Sequence, residues 1–276
     1  MKEGEDERVA NADKFRRLHA GPELLILTNA WDAASARVLV GLGAKAIATS
    51  SAAVAWAHGY PDGNALPVRL LLATLRDIAR VVTVPLTADI EGGYSDDPRR
   101  VGDTISALID VGVVGINLED GSGPPDLLIA KIQAARQAAE ESGVPIFVNA
   151  RTDVFSRNLS SGHHAVLEAI ARAKNYSAAG ADGIFVPGVT DSGAIEQLAQ
   201  QITRPLNVMA RPGLPLVREL QRLGVRRLSA AAWLARVALR AVRESAATFL
   251  ATGDSDSLVA AAGLAVDYNA LFVTSS

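Results

Sequence analysis

The sequence predicts an α/β fold in which eight strand–helix units close into a (β/α)8 TIM barrel. Short apolar segments alternate with longer helical ones along the chain, which is typical of a parallel sheet with helical crossovers. The 276 residues suit one α/β barrel, which often has about 250. A doubly wound sheet is the alternative. However, no GxGxxG motif follows the first strand, so nucleotide binding has little support.

The predicted elements alternate regularly, and Asp32, Asp97 and Asp191 stand where helix N-caps belong. The predicted strands are 24–28, 46–49, 84–89, 115–119, 146–151, 183–187, 206–209 and 227–229. The predicted helices are 7–18 before the first strand and then 32–42, 67–81, 98–111, 126–142, 163–179, 191–201 and 215–223. A glycine follows five of these helices, where a left-handed C-cap favours that residue. These glycines are Gly43, Gly112, Gly143, Gly180 and Gly224.

Residues 233–276 continue past the eighth unit as a helical extension rich in Ala and Leu, with predicted helices at 233–251 and 256–271. No linker or low-complexity segment interrupts the chain. We therefore expect one domain spanning 1–276. The extension would pack either on its own barrel or against a neighbouring subunit, as in a dimer or tetramer.

Composition excludes several classes of function. The net charge of −3 leaves no basic patch for nucleic acid. The absence of cysteine excludes disulfides, thiolate metal sites and cysteine nucleophiles. No apolar run is long enough for a membrane span, and the charged N-terminal stretch does not resemble a signal peptide. A soluble, cytoplasmic protein is expected.

The segment Leu86–Ser95, LTADIEGGYS, carries the most functional information. Asp89 and Glu91 follow a buried strand at a spacing of two, so we expect both carboxylates to project from the same face. Two adjacent buried carboxylates need a positive partner, and Mg²⁺ is the usual divalent choice. The alternative is a pair of solvated loop acids or a helix-capping aspartate.

Other polar residues also follow predicted strands, at the end of the barrel where function gathers. Arg151 would hold a substrate carboxylate through a forked pair, unless it forms a structural ion pair with Glu119 or Asp120. Together, the acids and Arg151 predict a cation site beside an anion site, which suits a 2-oxo acid or its enolate. The strand-end candidates are Ser50, Ser51, Asp62, Asn117, Glu119, Asp120, Asn149, Asp153, Asn207 and Met209.

Some candidates are weaker. His58 and Tyr60 lie in a predicted long loop after the second strand and are candidate acid–base groups. Trp31 is predicted to pack and is also kept as a substrate-binding candidate. No lysine lies at a strand end, which argues against a Schiff-base aldolase. Arg227 is expected at the end of the barrel opposite the site.

The chain resembles the isocitrate lyase/phosphoenolpyruvate mutase superfamily from about residue 12 to residue 250. Its motifs are individually short, but their order and spacing are specific. They are LTNAWDAASARVLVGLGAKAIATSSAAVA, GYPDG, PLTADIEGGY, GINLEDG, IFVNARTDVF, GADGIFVPG, PLNVMARPG and LGVRRLSAAAWLARVAL.

The resemblance implies a Mg²⁺ site, with Mn²⁺ as an alternative ion. Asp89 would lie closest to the metal, and Asp62, Glu91 and Glu119 would complete the site largely through water. Arg151, Ser50 and Ser51 would bind the substrate. The resemblance also implies cleavage or formation of a bond next to a 2-oxo acid through a metal-stabilised enolate. Homotetramers with swapped C-terminal helices are common in the superfamily.

Departures from the superfamily pattern limit what can be inherited. The loop that carries a catalytic cysteine in its isocitrate and methylisocitrate lyases is absent, and GSGPP leads directly into the next helix. A short lid favours decarboxylation or hydrolysis over protected carbanion chemistry. Glu91 also stands where the superfamily usually has Asp.

These observations favour a Mg²⁺-dependent lyase or decarboxylase acting on a small 2-oxo or 2-hydroxy dicarboxylate. A phosphonopyruvate-type hydrolase or mutase acting on a P–C bond is one alternative. A 2-oxo acid binding protein without turnover is another.

Overall fold

The computed structural model describes residues 2–263 and 267–272, with side chains from residue 7 onwards. Eight parallel strands close into a barrel in sequence order, β1 next to β2 and finally β8 next to β1. The predicted (β/α)8 fold is confirmed. The strands are β1 Leu25–Ala30, β2 Ile47–Thr49, β3 Leu86–Asp89, β4 Val113–Glu119, β5 Phe147–Arg151, β6 Gly183–Phe185, β7 Leu206–Met209 and β8 Arg227–Ser229.

Eleven helices surround or extend the barrel within the described ranges. Side chains of Asp32, Asp97 and Asp191 accept hydrogen bonds from backbone N–H groups at helix starts, as predicted. The helices are α1 Lys2–Ala20, α2 Ala33–Gly41, α3 Ser51–Ala57, α4 Val68–Val81, α5 Pro98–Asp110, α6 Pro125–Glu141, α7 Gly162–Ala179, α8 Ser192–Gln201, α9 Val217–Arg222, α10 Trp233–Thr252 and α11 Ser255–Ala262.

Two predicted segments were wrong. The loop expected after the second strand begins with α3, whose N-cap Ser50 accepts from the N–H of Ala53. Its alanines favour helix, but buried residues throughout it hide the amphipathic period. The last predicted helix, 256–271, ends as α11 at Ala262 before Gly263, and Asn269–Phe272 form a separate 3₁₀ helix. Residues 264–266 lie outside the described part.

Helix α1 closes the N-terminal end of the barrel. Its fully buried Phe15 makes edge contacts with His19 and Phe147, with centroid distances of 4.6 and 5.4 Å. Burial lowers the pKa of His19 to about 3, helped by nearby Arg227. A Cβ at Gly115 would lie 2.7 Å from the Phe15 ring, so the glycine on β4 makes room for this plug. The opposite end of the barrel is left for the site.

The extension contains α10, α11 and the 3₁₀ helix. Arg37 on α2 donates a hydrogen bond to the carbonyl of Leu271 at 2.6 Å, so the last described turn lies against its own barrel. Helix α10 buries only Ala235 and exposes several apolar side chains. These are Val237, Leu239, Val242 and Leu250. No helix in the described ranges combines the length and apolarity needed to cross a membrane.

Candidate active site

A cavity of about 380 Å³ opens at the C-terminal ends of the strands. It brings Asp89, Asp62 and Arg151 together with Ser50 and Ser51. All five were predicted from the sequence as site residues. The remaining lining residues are Asn29, Ala52, Asn117, Phe185, Met209, Ser229, Ala231, Ala232, Trp233 and Arg236.

Asp89 ends β3 with its carboxylate facing this cavity. One carboxylate oxygen accepts from the Ser51 hydroxyl and the other from the Glu91 backbone N–H, both at 3.3 Å. No described residue forms an ion pair with Asp89. Burial raises the pKa of Asp89, and Arg151 opposes that rise. A largely desolvated carboxylate without a paired cation is a suitable ligand for a divalent ion.

Glu91 does not extend strand β3 beside Asp89, so the expected strand geometry was wrong. Burial raises the pKa of Glu91, and Asp62 and Asp89 are close enough for their charges to raise it further. Strand β3 stops at Asp89, and Glu91 has a left-handed backbone with φ of 51°. Its buried carboxylate accepts from the backbone N–H groups of Gly63, at 2.7 Å, and Asn64. The Asn64 side chain in turn accepts from the N–H groups of Gly92 and Tyr94. Two loops are thereby clamped together directly beside Asp62, which is exposed to the cavity.

Arg151 lies in the cavity wall but is already paired with acids. Its guanidinium lies 2.7 Å from Glu119 and 2.8 Å from the buried Asp153. The predicted structural ion pair with Glu119 is therefore present, whereas Asp153 takes the place expected for Asp120. Burial would lower the pKa of Arg151, but Glu119 and Asp153 raise it. Arg151 remains cationic, with most of its charge compensated.

Glu119 faces a neighbouring cavity of about 370 Å³ under the β4–α6 loop and does not line the one beside Asp89. Burial raises the pKa of Glu119 to about 8, and this effect outweighs the attraction of Arg151. Glu119 is therefore linked to the cavity beside Asp89 through its contact with Arg151.

A buried polar layer forms the floor beneath the cavity. The side-chain oxygen of Asn117 accepts hydrogen bonds from Asn149 at 2.9 Å and from Arg227 at 3.2 Å. Neither contact uses the side-chain NH₂ group of Asn117. Ser229 accepts from Arg227 and donates to Asn207, both at 3.1 Å. Asn149 and Asn207 thus support the floor and do not line the cavity.

Arg227 lies at the start of β8, the end expected from the sequence, but its side chain points into the barrel and reaches the floor beneath the cavity. It is fully buried on β8, and one of its terminal nitrogens has no hydrogen-bond partner. Burial lowers its pKa to about 9, and Asp89 partly opposes this. Its spacing of two from Ser229 was the missed signal, because it places both side chains inside the barrel.

Three predicted residues lie away from the cavity. His58 is exposed and bonds to the Thr74 hydroxyl at 2.8 Å. Tyr60 and Trp31 pack partly buried against the core. Nothing in this geometry supports the acid–base role predicted for His58 and Tyr60, or substrate contact by Trp31.

The model of the phosphoenolpyruvate phosphomutase family matches residues 15–250. The chain belongs to this family.

Relatives agree with this assignment. Oxaloacetate decarboxylase 1 of Pseudomonas fluorescens is 30% identical over 77% of this chain and 75% of its own length. The crystal structure of a candidate lyase/mutase from Burkholderia cenocepacia J2315 is 32% identical, with a TM-score of 0.88 over 98% of both chains. That of 2,3-dimethylmalate lyase, a member of the PEP mutase/isocitrate lyase superfamily, is 25% identical, with a TM-score of 0.79 over 92% of this chain and 95% of its own. The protein is an enzyme of the carbon–carbon lyase type found in this superfamily.

The donor set of this superfamily member fits Mg²⁺ held mainly through water. Within the described ranges, no three His, Cys, Asp or Glu side chains converge closely enough to hold a metal. Mg²⁺ typically binds one or two carboxylates, several waters and substrate oxygens. Asp89 would supply the direct carboxylate, and Asp62, which lies in the same cavity, would hold water.

Proposed function

We propose that this protein is a Mg²⁺-dependent lyase or decarboxylase acting on a small 2-oxo or 2-hydroxy dicarboxylate. The observation that carries the proposal is that Asp89 and Arg151 line the same cavity. Asp89 has no ion pair with any described residue. Relatives named for oxaloacetate and 2,3-dimethylmalate support a dicarboxylate substrate. Bound Mg²⁺ would act as a Lewis acid toward the substrate's oxygen atoms.

Each residue has a distinct role in this proposal. Asp89 would hold the metal, and Asp62 would order its water. Ser51 donates to Asp89 and orients its carboxylate. The amide of Asn117 would donate to a substrate oxygen, since its carbonyl is occupied by Asn149 and Arg227. Arg151 would donate one of its remaining N–H groups to a carboxylate.

The lining residues favour decarboxylation among the candidate reactions. Asp62 and Asp89 are the acid–base side chains among the described residues that line the cavity, and the proposal uses both at the metal. Decarboxylation of a 2-oxo dicarboxylate breaks the bond between C3 and its carboxylate and releases CO₂. The electron pair remains on the 2-oxo acid as an enolate, which takes a proton from water. No side chain has to remove a proton.

The test begins with thermal stability in Mg²⁺ or Mn²⁺ and a panel of oxaloacetate, 2-oxoglutarate, pyruvate, phosphonopyruvate, isocitrate and substituted malates. A ligand at 100 times its Kd should stabilise the fold by about 2.7 kcal/mol. Turnover assays then follow CO₂, C–C cleavage and phosphate release. Stabilisation that requires metal and a dicarboxylate, followed by turnover, supports the proposal. Phosphate release from phosphonopyruvate would favour the P–C alternative, and binding without turnover would favour the binding protein.

Asp89→Ala should abolish both metal-dependent stabilisation and ligand binding. Asp62, the other cavity carboxylate, is assigned to water and would not replace Asp89 as the direct metal ligand. Asp103→Ala on the exposed face of α5 is the matched control and should behave as wild type. Ligand binding that survives in Asp89→Ala would show that the metal assignment is wrong.

A further inference from the structure

The cavity contains a second arginine, Arg236, that no acid compensates. It lies in the first turns of α10 and lines the cavity together with Arg151. Arg151 is paired with Glu119 and Asp153. Arg236, by contrast, makes no ion pair and no side-chain hydrogen bond with any described residue.

Two tryptophans hold Arg236 in place. Its guanidinium carbon lies 5.1 Å from the ring centroid of Trp56 on α3 and 5.7 Å from that of Trp233. Trp233 is itself anchored by a hydrogen bond from its indole N–H to the carbonyl of Ala210 at 2.6 Å. Cation–π contacts use the face of the guanidinium and leave its five N–H donors available. The side chain is therefore oriented without any of its donors being used.

Arg236 is exposed where it lines the cavity and has no ion pair among the described residues, so water solvates its charge until a ligand binds. Asp62 and Asp89 would be matched by a divalent cation, while Arg151 is matched by the buried Asp153 at 2.8 Å. Arg227 adds a further buried positive charge beneath the floor, also without an ion pair among the described residues. A monocarboxylate bound at the metal would leave the positive charge of Arg236 without an anionic partner. A dicarboxylate would bring a second carboxylate to pair with it.

We propose that Arg236, held by Trp56 and Trp233, binds the distal carboxylate of the substrate and makes the enzyme selective for dicarboxylates. This inference rests on the proposed function and names a specificity residue for the same cavity. Arg151 keeps its proposed contact with one carboxylate, and Arg236, whose donors are all free, takes the second, distal carboxylate.

The binding test compares acids that differ only at the distal group. Oxaloacetate is paired with 2-oxobutyrate, and malate with 2-hydroxybutyrate, all with Mg²⁺ and read by thermal stabilisation and titration calorimetry. Wild type should prefer each dicarboxylate. Arg236→Gln should weaken dicarboxylate binding about 10-fold to 100-fold, the size of a lost charge-assisted hydrogen bond, with little effect on the monocarboxylates. Arg236→Lys should keep part of the preference.

Arg240→Gln is the matched control, since Arg240 lies one turn further along α10, is exposed and pairs with Glu244. It should retain the wild-type preference. If oxaloacetate is decarboxylated, Arg236→Gln should raise KM without lowering kcat. The reason is that the lost carboxylate leaves as neutral CO₂, so its attraction to Arg236 is strongest in the ground state.

Two results would overturn the inference while leaving the proposed function intact. One is a dicarboxylate preference unchanged in Arg236→Gln, and the other is wild type binding both members of each pair equally well. If wild type binds none of the four acids with Mg²⁺, the proposed function itself fails, and the role of Arg236 fails with it.

Discussion

At the residue scale, Glu91 has one methylene more than the aspartate usual at this position in the superfamily, and this extends the reach of its carboxylate. An aspartate at this position would be too short to reach the N–H groups of Gly63 and Asn64, which Glu91 holds from across the loop. That contact fixes the segment that begins at Asp62. Glu91 therefore acts as a positioning residue: it does not line the substrate cavity, but it lies close enough to Asp62 and Asp89 for their charges to add to the rise in its pKa that burial causes.

Glu91→Asp should weaken ligand binding by loosening the Asp62 loop while leaving metal-dependent stabilisation detectable. Asp89→Ala should remove both, so the two variants separate positioning from ligation. Titration calorimetry with Mg²⁺ and then with dicarboxylate measures each step. Loss of all Mg²⁺ binding in Glu91→Asp would instead indicate that Glu91 ligates the metal.

Glu119 should make the metal-free protein less stable as pH rises. Its pKa is raised from 4.5 to about 8 by burial, so between these values the folded state keeps a proton that the unfolded chain has released. The stabilisation is complete below about pH 4.5 and is lost as pH rises toward 8, at up to about 1.4 kcal/mol per pH unit.

Urea unfolding in EDTA at pH 5.5, 7 and 8.5 measures this dependence. Glu119→Gln should flatten it, because the amide cannot ionise. Asp89 and Glu91, whose pKa values are also raised by burial, interact electrostatically with Glu119, so the difference between the two proteins measures Glu119 together with its effect on these two acids. Identical pH slopes for the two proteins would contradict the assignment.

At the element scale, α1 and the strands divide the barrel into a structural end and a reactive end. Phe15 fills the N-terminal end over Gly115 and Phe147. Phe15→Ala should lower the free energy of unfolding by about 3–5 kcal/mol, because it leaves a buried cavity. Phe15→Leu is the control and should cost less than about 1.5 kcal/mol.

Urea unfolding with ligand binding as a second measurement checks this prediction. Both variants should bind ligand normally while folded, since the cavity lies at the opposite end. A cost for Phe15→Ala no larger than that for Phe15→Leu would mean that α1 does not seal the barrel.

Helix α3 is the element that changes the reactive end most. Because it begins directly after β2, it brings Ser51 to Asp89 and Trp56 to Arg236. The β4–α6 connection, by contrast, is short, with residues 120–124 between β4 and α6. The reactive end is therefore shaped by α3 and α10, with little cover from the β4–α6 loop.

At the scale of the whole molecule, the exposed apolar side chains of α10 bear on the predicted oligomer. Val237, Leu239, Val242 and Leu250 are each more than half exposed, which is typical of an interface. Deleting residues after Thr252 tests whether α11 and the last turns are needed for assembly. If a dimer or tetramer forms through the extension, light scattering should show a smaller mass.

A second variant, Val242→Glu, places a charge among the exposed apolar side chains of α10 and should also reduce the mass of the assembly. Arg243→Glu, on the adjacent exposed position, is its control. An oligomer that survives both the truncation and Val242→Glu would exclude the extension as the interface. A monomeric wild type would show that no such assembly exists.

The sequence by itself determined the barrel, because turn glycines, aspartate caps and alternating apolar segments are local signals that the closed sheet satisfies. It also determined that Asp62, Asp89, Arg151, Ser50 and Ser51 meet, since the ends of parallel strands share one face of a barrel.

Only the tertiary structure decided how those residues are used. Glu91 turned away because β3 stops at Asp89, and Arg151 was taken up by acids on β4 and beyond β5. Arg236 entered the cavity from α10, and Arg227 on β8 supports its floor. The pair of Arg151 with Glu119 and the contacts of Arg227 and Arg236 join residues far apart in the chain, and the free energy of burying a charge depends on partners that spacing along the sequence does not reveal.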